Sequence, residues 1–436
     1  MQKRGHTIKK FLLGLILLVL VLPFLQQHLH FYESKPLKGY HVPKEKIWFS
    51  KDAWFEGTYQ EAYNDWHNEN FGFRNECVRI YNQVAFNVFN IAKANDVIIG
   101  KENYLYEMNY IKAYTGTDFV GEKQLLQWTT QLKALQDSLE KKNVTLVVCL
   151  AAGKASFYPE YIPDRFGPGA DTTNYKRFSA LLKEHNVNLI DYNAWFMQMK
   201  GKTEYPLYPK TGIHWSRYGS VFAVDSLVKY VERKRGIDMP GIVWEKPIPA
   251  DTLIQPDEDV GLAMNLMWPI EPLKMGNPQF HWEDTAGKTM PTLMAVSDSY
   301  FWTMYEGLGT NAFKDIAFYY YNKEIYRAGG GPMMPSEADI SMYESETHDV
   351  VMIMATEANL WSFGWGYIQE AFNHFVAHKA IPERDRLVRK YELLIRVDEV
   401  WMGAIRKKAA ERNIDVEAMI RMDAEYMAEE EMKNKK

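Results

Sequence analysis

Two side chains in the sequence have the types and the surroundings that acyl-transfer chemistry needs. Ser299 follows the apolar run LMAVSD and precedes the helical pattern YFWTMYE, and His214 lies in the loop segment YPKTGIHW. A serine hydroxyl is a weak nucleophile at neutral pH and needs a base within hydrogen-bonding distance. We therefore predict that Ser299 is a nucleophile and His214 its general base. The structural alternatives are a helix N-cap for Ser299 and a packed loop histidine for His214.

An alternation of helices and strands is expected to position this pair. The amphipathic segment EKQLLQWTTQLKALQDSLEKKN precedes the apolar strand VTLVVCLAA, YKRFSALLKEHN precedes VNLID, and TLMAVS, IAFYYYN and HDVVMIMAT follow as later strands. This order predicts an α/β fold with a parallel sheet flanked by helices. Ligands of such sheets bind beyond the carboxyl ends of the strands, where Ser299 lies. His348 precedes its strand and is expected at the opposite edge.

Three other stretches complete the predicted organisation. The segment VIIGKENYLYE indicates a hairpin, and helix YGSVFAVDSLVKYVERKR is expected to stop at Gly236. The Pro-rich residues 239–291 read as an excursion from the sheet. From Pro382 the chain becomes charged and helical, which predicts a solvated helical appendage, with a partner-binding role as the alternative.

The N-terminus has the pattern of a membrane anchor. MQKRGHTIKK is basic, and an apolar run follows from Phe11 to Leu25. Basic residues before an apolar run hold that end in the cytoplasm and send the following chain across the membrane. The run is shorter than the roughly 20 residues of a full span, so a cleaved signal peptide is the alternative. A signal-anchor transmembrane helix is favoured because the exit QQHLHFYESKP has no small-x-small cleavage site.

Composition excludes several other kinds of protein. The 436 residues carry a formal net charge of -5 and no basic motif interleaved with aromatics, so a nucleic-acid partner is not expected. Cys77 and Cys149 are the two cysteines; both are predicted to be buried thiols rather than a disulfide. So few thiols make no cysteine-based metal site.

Several motifs together resemble a known family. SDSY at residues 297–300 resembles the Gly-Asp-Ser-Phe/Tyr nucleophile turn of SGNH hydrolases, and TGIHW at 211–215 resembles the Thr-Asp-x-His-Trp segment of AlgX/AlgJ-like alginate O-acetyltransferases. As in that branch, the histidine segment precedes the serine turn. Further similarity lies in NFGFR (70–74), VIIGKENYLYE (97–107) and GKASFYPEYIP (153–163), so the resemblance spans roughly residues 65–375.

Two positions depart from the family pattern. The glycine before Asp-Ser is Ser297 here, and the acid two residues before the histidine is Gly212. A carboxylate in the second position would orient the imidazole and stabilise its protonated form. Asp298, Asp191 and Glu357 are the replacement candidates. The alternatives are a slow Ser-His dyad, or loss of catalysis with binding retained.

The resemblance implies an extracytoplasmic O-acetyltransferase that moves an acetyl group through Ser299 to hydroxyls of an exported polysaccharide. It also implies a membrane-bound MBOAT-type protein as acetyl donor, and no metal or diffusible cofactor at the serine. The alternatives are a carbohydrate acetyl esterase and a catalytically impaired polysaccharide-binding scaffold. Trp302, Trp361 and Trp365 are candidate sugar contacts or core residues, and AGGGP (328–332) is a rim of the cleft or an ordinary loop.

The predicted domain organisation has three parts. Residues 1–34 form the cytoplasmic basic flank and the signal-anchor transmembrane helix. Residues 35–376 form the SGNH hydrolase-like domain of AlgX/AlgJ type. Residues 377–436 form charged C-terminal helices. The expected location is the inner membrane, with a single span and the main domain in the periplasm.

Overall fold

A computed structural model describes residues 2–39, 44–327, 340–378, 383–412 and 414–434. The chain divides into two compact units. The first unit comprises residues 1–107, 210–213 and 258–272, and the second comprises residues 108–209, 214–257 and 273–436.

The helices of the described residues are numbered in chain order. They are α1 Gln2–Leu29, α2 Lys51–Glu56, α3 Thr58–Asn70, α4 Arg74–Phe89, α5 Met108–Thr115, α6 Glu122–Glu140, α7 Lys154–Phe157, α8 Asn174–Glu184, α9 Tyr192–Met199, α10 Arg217–Arg235, α11 Asp259–Ala263, α12 Phe301–Ala312, α13 Ile340–Thr347, α14 Tyr367–Phe375, α15 Glu383–Val397, α16 Glu399–Arg412 and α17 Val416–Asn434.

The strands are numbered in the same way. They are β1 Val97–Ile99, β2 Leu105–Glu107, β3 Thr145–Ala151, β4 Leu189–Asp191, β5 Ile242–Trp244, β6 Ile248–Pro249, β7 Gly276–Asn277, β8 Phe280–Trp282, β9 Thr292–Ser297, β10 Asp315–Tyr320, β11 Glu324–Tyr326 and β12 Val350–Thr356.

The second unit is built on a six-stranded sheet of order β11-β10-β9-β12-β3-β4. Five strands are parallel, and β11 runs antiparallel at one edge. Strands β9, β12 and β3 are almost entirely buried, which explains their continuous apolar sequences. The predicted α/β architecture is therefore confirmed, with a mixed rather than purely parallel sheet.

Helices cover the sheet because alternate strand residues point to opposite faces. One face presents Leu146, Val148 and Leu150 of β3 to an apolar cluster with residues of α6, α8 and α14. Helix α9 contacts β3 and α12 contacts β10, while α10 packs against α12. The predicted stop of α10 is confirmed at Gly236, whose φ of 64° is the left-handed conformation that favours glycine.

The remaining parts of the second unit lie outside this sheet. In the Pro-rich excursion, β5 pairs with β8 and β6 pairs with β7, both antiparallel. Helices α15 to α17 share a separate apolar cluster that includes Leu387, Ile395, Ile405 and Ile420. The charged C-terminal segment is therefore helical, as predicted, and has its own small core.

The first unit contains α1 to α4, the β1–β2 hairpin and α11. The hairpin predicted from VIIGKENYLYE is confirmed, with Ile98 paired to Tyr106. The prediction that both cysteines are buried thiols is half wrong. Both are free, but Cys77 is exposed on α4 and only Cys149 is buried. Cys77 is exposed together with the apolar residues on its face of α4.

Candidate functional site

The nucleophile candidate lies where β9 turns into α12. Strand β9 ends at Ser297 and α12 begins at Phe301, so Ser299 is in the connecting turn. The turn is tightened by the Trp302 N–H, which donates to the Ser299 carbonyl at 3.2 Å. The side chain is half-buried, so its hydroxyl is reachable from solvent. The adjoining first turn of α12 presents N–H groups and a partial positive charge on the same side.

The base candidate is fixed by the residues that follow it. Trp215 is fully buried and its indole N–H donates to Thr303 Oγ1 of α12 at 2.8 Å. Ser216 caps α10 by accepting the Gly219 N–H at 2.9 Å, and its own N–H donates to the Leu207 carbonyl at 2.7 Å. These contacts hold the backbone of the segment, and therefore the position of His214.

The two candidates meet within the second unit. His214 Nε2 lies 2.8 Å from Ser299 Oγ, although the residues are 85 positions apart in the chain. With its proton on Nδ1, the imidazole accepts the serine hydroxyl proton at Nε2. The Tyr300 ring lies 4.8 Å from the His214 ring, measured between centroids, and it is fully buried. This arrangement is what a serine nucleophile with a histidine base requires.

Asp298 fastens the turn to the neighbouring strand. Its fully buried carboxyl accepts the Tyr300 N–H at 3.1 Å within the turn. Its other oxygen accepts the Thr356 N–H at 2.8 Å, the Thr356 hydroxyl at 3.0 Å and the Asn359 amide at 2.9 Å. Thr356 is the last residue of β12, so Asp298 joins the ends of two adjacent parallel strands. Its role is to hold Ser299 in place.

None of the three acids considered as substitutes at the Gly212 position contacts His214 among the described residues. Asp298 is engaged as described above. Asp191 caps α9 by accepting the Ala194 N–H, and it also accepts from Tyr175 and Lys183. Glu357 accepts from the side-chain amide of Asn193. These carboxyls hold backbone segments at the carboxyl edge of the sheet.

The carboxyl group of Glu357 is buried at the end of β12. It directly follows β12 and is 4% exposed. Burial raises the pKa of Glu357 from 4.5 to about 7, although hydrogen bonds from Ser156, Asn193 and the Gly153 backbone lower it. A raised pKa means that the folded protein favours the protonated carboxyl. Glu357 therefore loses its proton close to neutral pH.

Stability is expected to fall as the pH rises from about 4.5 to about 7, because the folded state then binds more protons at Glu357 than the unfolded state. The full difference corresponds to roughly 3 kcal/mol, at about 1.4 kcal/mol per pKa unit. Glu357→Gln should remove this contribution and flatten the fall in melting temperature between about pH 5 and about pH 8. Differential scanning calorimetry of the full chain in detergent measures it. Glu140→Gln, at an exposed position in α6, is the control. If the melting temperature of Glu357→Gln falls with pH as steeply as that of the wild type, the raised pKa of Glu357 does not cause the fall.

The predicted sugar-contacting tryptophans lie in different environments. Trp302 packs edge-on against Phe318 and Tyr326, with ring centroids 4.9 and 4.5 Å away, which is a core contact. Trp361 is 49% exposed, and Trp365 packs against Tyr321. Of the three, Trp361 is thus the most accessible to a ligand. The AGGGP segment lies outside the described residues.

Sequence reasoning missed the residues that support the pair from a distance. Thr356 and Asn359 hold Asp298, and Thr303 receives the Trp215 indole. The available signal was the polar Thr356-Glu357 pair at the end of an otherwise apolar strand. Among the described residues, no group of three or more His, Cys, Asp or Glu side chains is arranged to hold a metal ion. The buried hydroxyl of Ser297, at the position of the family's glycine, has no hydrogen-bond partner within the described part of the chain.

Comparison with known proteins gives one family match. Residues 97–241 match the family described as the SGNH hydrolase-like domain of the acetyltransferase AlgX. Among curated proteins, the chain is 23% identical over 179 residues to the probable alginate O-acetylase AlgJ of Pseudomonas putida. That match covers 41% of this chain and 44% of AlgJ, so it spans less than half of the relative's length.

Two solved structures match part of this chain at low sequence identity. The O-acetyltransferase domain of Pseudomonas putida AlgJ is 20% identical with a TM-score of 0.40, and covers 64% of this chain and 99% of that domain. Pseudomonas aeruginosa AlgX is 13% identical with a TM-score of 0.41, and covers 63% of this chain and 67% of that structure. Residues 97–241 are therefore similar to the SGNH hydrolase-like domain of AlgX, and the likeness to AlgX and AlgJ that the motifs predicted is confirmed.

Proposed function

We propose that this chain is an O-acetyltransferase that moves an acetyl group through Ser299 to hydroxyls of an exported polysaccharide. The observation that carries the proposal is the 2.8 Å separation of Ser299 Oγ and His214 Nε2 at the carboxyl edge of the sheet. The family description and the name of the curated relative both refer to acetyl transfer, which supports the same reaction class. The name of the relative refers to alginate, whereas the substrate class proposed for this chain is exported polysaccharides in general.

The proposed reaction has two half-reactions. Ser299 Oγ attacks the carbonyl carbon of an acetyl donor while His214 Nε2 takes the hydroxyl proton, and collapse of the tetrahedral intermediate releases the donor's leaving group with that proton. A sugar hydroxyl then attacks the acetyl-serine ester, passes its proton to His214, and leaves as the acetylated sugar while Ser299 regains its hydrogen. The N-terminal turn of α12 is suited to stabilise the oxyanion in both steps. No metal or diffusible cofactor takes part.

Anchoring in the membrane is part of the proposal. Within α1, residues Ile8–Leu29 form a 22-residue stretch with mean hydropathy 2.4, which is long and apolar enough to cross a bilayer. Basic residues precede it in the sequence, which favours a cytoplasmic N-terminus and an extracytoplasmic acyl site. A membrane-bound MBOAT-type protein is the proposed source of the acetyl group, since an extracytoplasmic enzyme needs acetyl delivered across the bilayer.

Acetyl ester hydrolysis is the second candidate, favoured by the half-exposure of both Ser299 and His214, which admits water. We expect the purified full chain to release acetate slowly from an activated acetyl ester. Added polysaccharide oligomers should take up the acetyl group at the expense of acetate. Mass spectrometry of the oligomers together with acetate assay measures this partition. Acetate release that no oligomer diminishes would favour the esterase and contradict the transferase.

A further inference from the structure

Helix α4 has an inverted distribution of polar and apolar side chains. Ile80, Tyr81, Val84 and Val88 recur at helical spacing and are between 47% and 68% exposed. With exposed Cys77 they occupy a single face about 100° wide, at 100° per residue. We call these five residues the outer face of α4. An exposed and uniformly apolar face of this kind is typical of a surface that contacts something apolar.

The buried residues of α4 are Asn82, Gln83 and Ala85, so two of the three are polar. Asn82 and Gln83 are 8% and 6% exposed. The Asn82 amide donates to the Met264 carbonyl at 3.0 Å, and Gln83 Oε1 accepts the Trp268 N–H at 2.9 Å, all within the first unit. Polar residues inside and apolar residues outside are the reverse of a helix on a water-facing surface. The sequence of α4 therefore fits an apolar environment on its outer face.

The start of α4 packs against the end of α1 in the same unit. The Phe73 ring contacts Phe31 and Tyr32, with centroids 6.0 and 5.7 Å away. Ser34 donates to the Glu76 carboxylate at 2.8 Å. A Cβ on Gly72 would overlap the Pro23 carbonyl, so only glycine allows this close approach. The first turn of α4 thus lies at the exit end of the 22-residue apolar span.

Aromatic residues with lysines near their rings occur on α4 and elsewhere in the first unit. Lys93 Nζ lies 4.9 Å from the centroid of Tyr81. Lys46 Nζ lies 5.5 Å from Trp48, which is 80% exposed, and Phe55 in α2 is 87% exposed. Lysines that stretch along aromatic rings, with their ammonium groups toward water, are typical of the lipid headgroup region.

We infer that the outer face of α4 docks on the lipid surface at the exit end of α1, so that the first unit lies partly in the bilayer interface. The first turn of α4 packs against the exit end of the apolar span of α1. The outer face of α4 therefore continues the apolar surface of that span, and this continuity favours lipid over another protein as its partner. Interfacial helices bury an apolar face below the headgroups in this way. The inference rests on the proposed anchoring by α1.

Spin labels on the full chain in vesicles of phosphatidylethanolamine and phosphatidylglycerol test the inference. Cys77 lies on the outer face and takes a label directly, whereas Cys149 is buried. A second site is Val88→Cys in a Cys77→Ser background. Gln127→Cys, at an exposed position in α6, is the water-facing control, and Leu18→Cys reports on α1 itself. Power-saturation EPR with oxygen and with a nickel chelate separates lipid, which is rich in oxygen, from water, which is rich in nickel.

Labels at residues 77 and 88 are expected to show severalfold lower nickel accessibility than the label at residue 127, and higher oxygen accessibility. Val84→Glu should raise the nickel accessibility at Cys77, since a charge opposes insertion. Nickel accessibility equal to that at residue 127 would overturn the inference. Exclusion of both reagents would also overturn it, because it indicates a protein partner or a second copy. If the label at residue 18 has the high nickel accessibility of a water-exposed position, the proposal that α1 anchors the chain in the membrane is wrong instead.

Discussion

Ser299→Ala is expected to reduce turnover of an acetyl ester by roughly 10⁴–10⁶-fold, the range found when the nucleophile of a serine-histidine enzyme is removed. The reason is that Ser299 Oγ is the hydroxyl within 2.8 Å of His214 Nε2 and is the atom proposed to carry the acetyl group. His214→Gln should cost about as much, because the two residues act as a unit. Acetate release by the purified full chain measures both.

The control for this pair is Ser179→Ala. The Ser179 hydroxyl donates to the Lys176 carbonyl within α8, so its removal should leave turnover unchanged. A serine-directed covalent probe adds a test that does not depend on the substrate. The probe should label the wild type and should not label Ser299→Ala. If the wild type is not labelled and Ser299→Ala keeps its turnover, the acyl-enzyme proposal is wrong, and the scaffold alternative raised by Gly212 is favoured.

Asp298→Ala is expected to lower the free energy of unfolding by about 3–5 kcal/mol, since each buried donor left unsatisfied costs about 1–3 kcal/mol. The substitution removes the acceptor of the Tyr300 N–H, the Thr356 N–H and hydroxyl, and the Asn359 amide. Calorimetric or denaturant unfolding of the full chain measures the loss. Turnover should fall too, because the turn that carries Ser299 is no longer tied to β12.

Asp191→Ala is the matched comparison for Asp298→Ala. It also removes an aspartate from the carboxyl edge of the sheet, but the helix cap that Asp191 provides is worth only about 1 kcal/mol. Its other donors, Tyr175 and the exposed Lys183, are less buried than the donors to Asp298, so the loss should be smaller. Asp298→Asn keeps the shape of the side chain and one acceptor oxygen. Its loss of unfolding free energy should lie between those of Asp298→Ala and Asp191→Ala. Equal losses for Asp298→Ala and Asp191→Ala would contradict the role assigned to the Asp298 network.

The site was predictable from sequence where a local rule applied. Ser299 follows a buried strand, and parallel sheets present such residues at one edge, so the rule selects it. His214 precedes a capped helix in a loop next to a buried tryptophan, and the motif order agrees. The carboxyl network was not predictable, because Asp298 is held by residues 58 and 61 positions later in the chain. No periodicity in the sequence records such a pairing.

In the fold, too, local features were predictable from sequence and long-range features were not. Periodicity indicates β3, β9 and β12 as buried strands, but a fully buried strand has the same apolar sequence at any interior position of a sheet. That β12 lies between β9 and β3, and that β11 is antiparallel, follows from long-range packing. The error at Cys77 has a related cause. The apolar run around Cys149 correctly indicates its burial, but Cys77 lies on the outer face of α4, which is exposed although it is apolar.

The place of β12 in the sheet has a consequence for biogenesis. Strands β3 and β4 form one half of the sheet and β9 to β11 the other, and residues 350–356 join them. A growing chain cannot unite the halves until this late strand is available, and pairing between distant segments is slow. Thr356, the partner of Asp298, arrives with the same strand. The proposed acyl site of the nascent protein therefore cannot assemble until residue 356 has been synthesised.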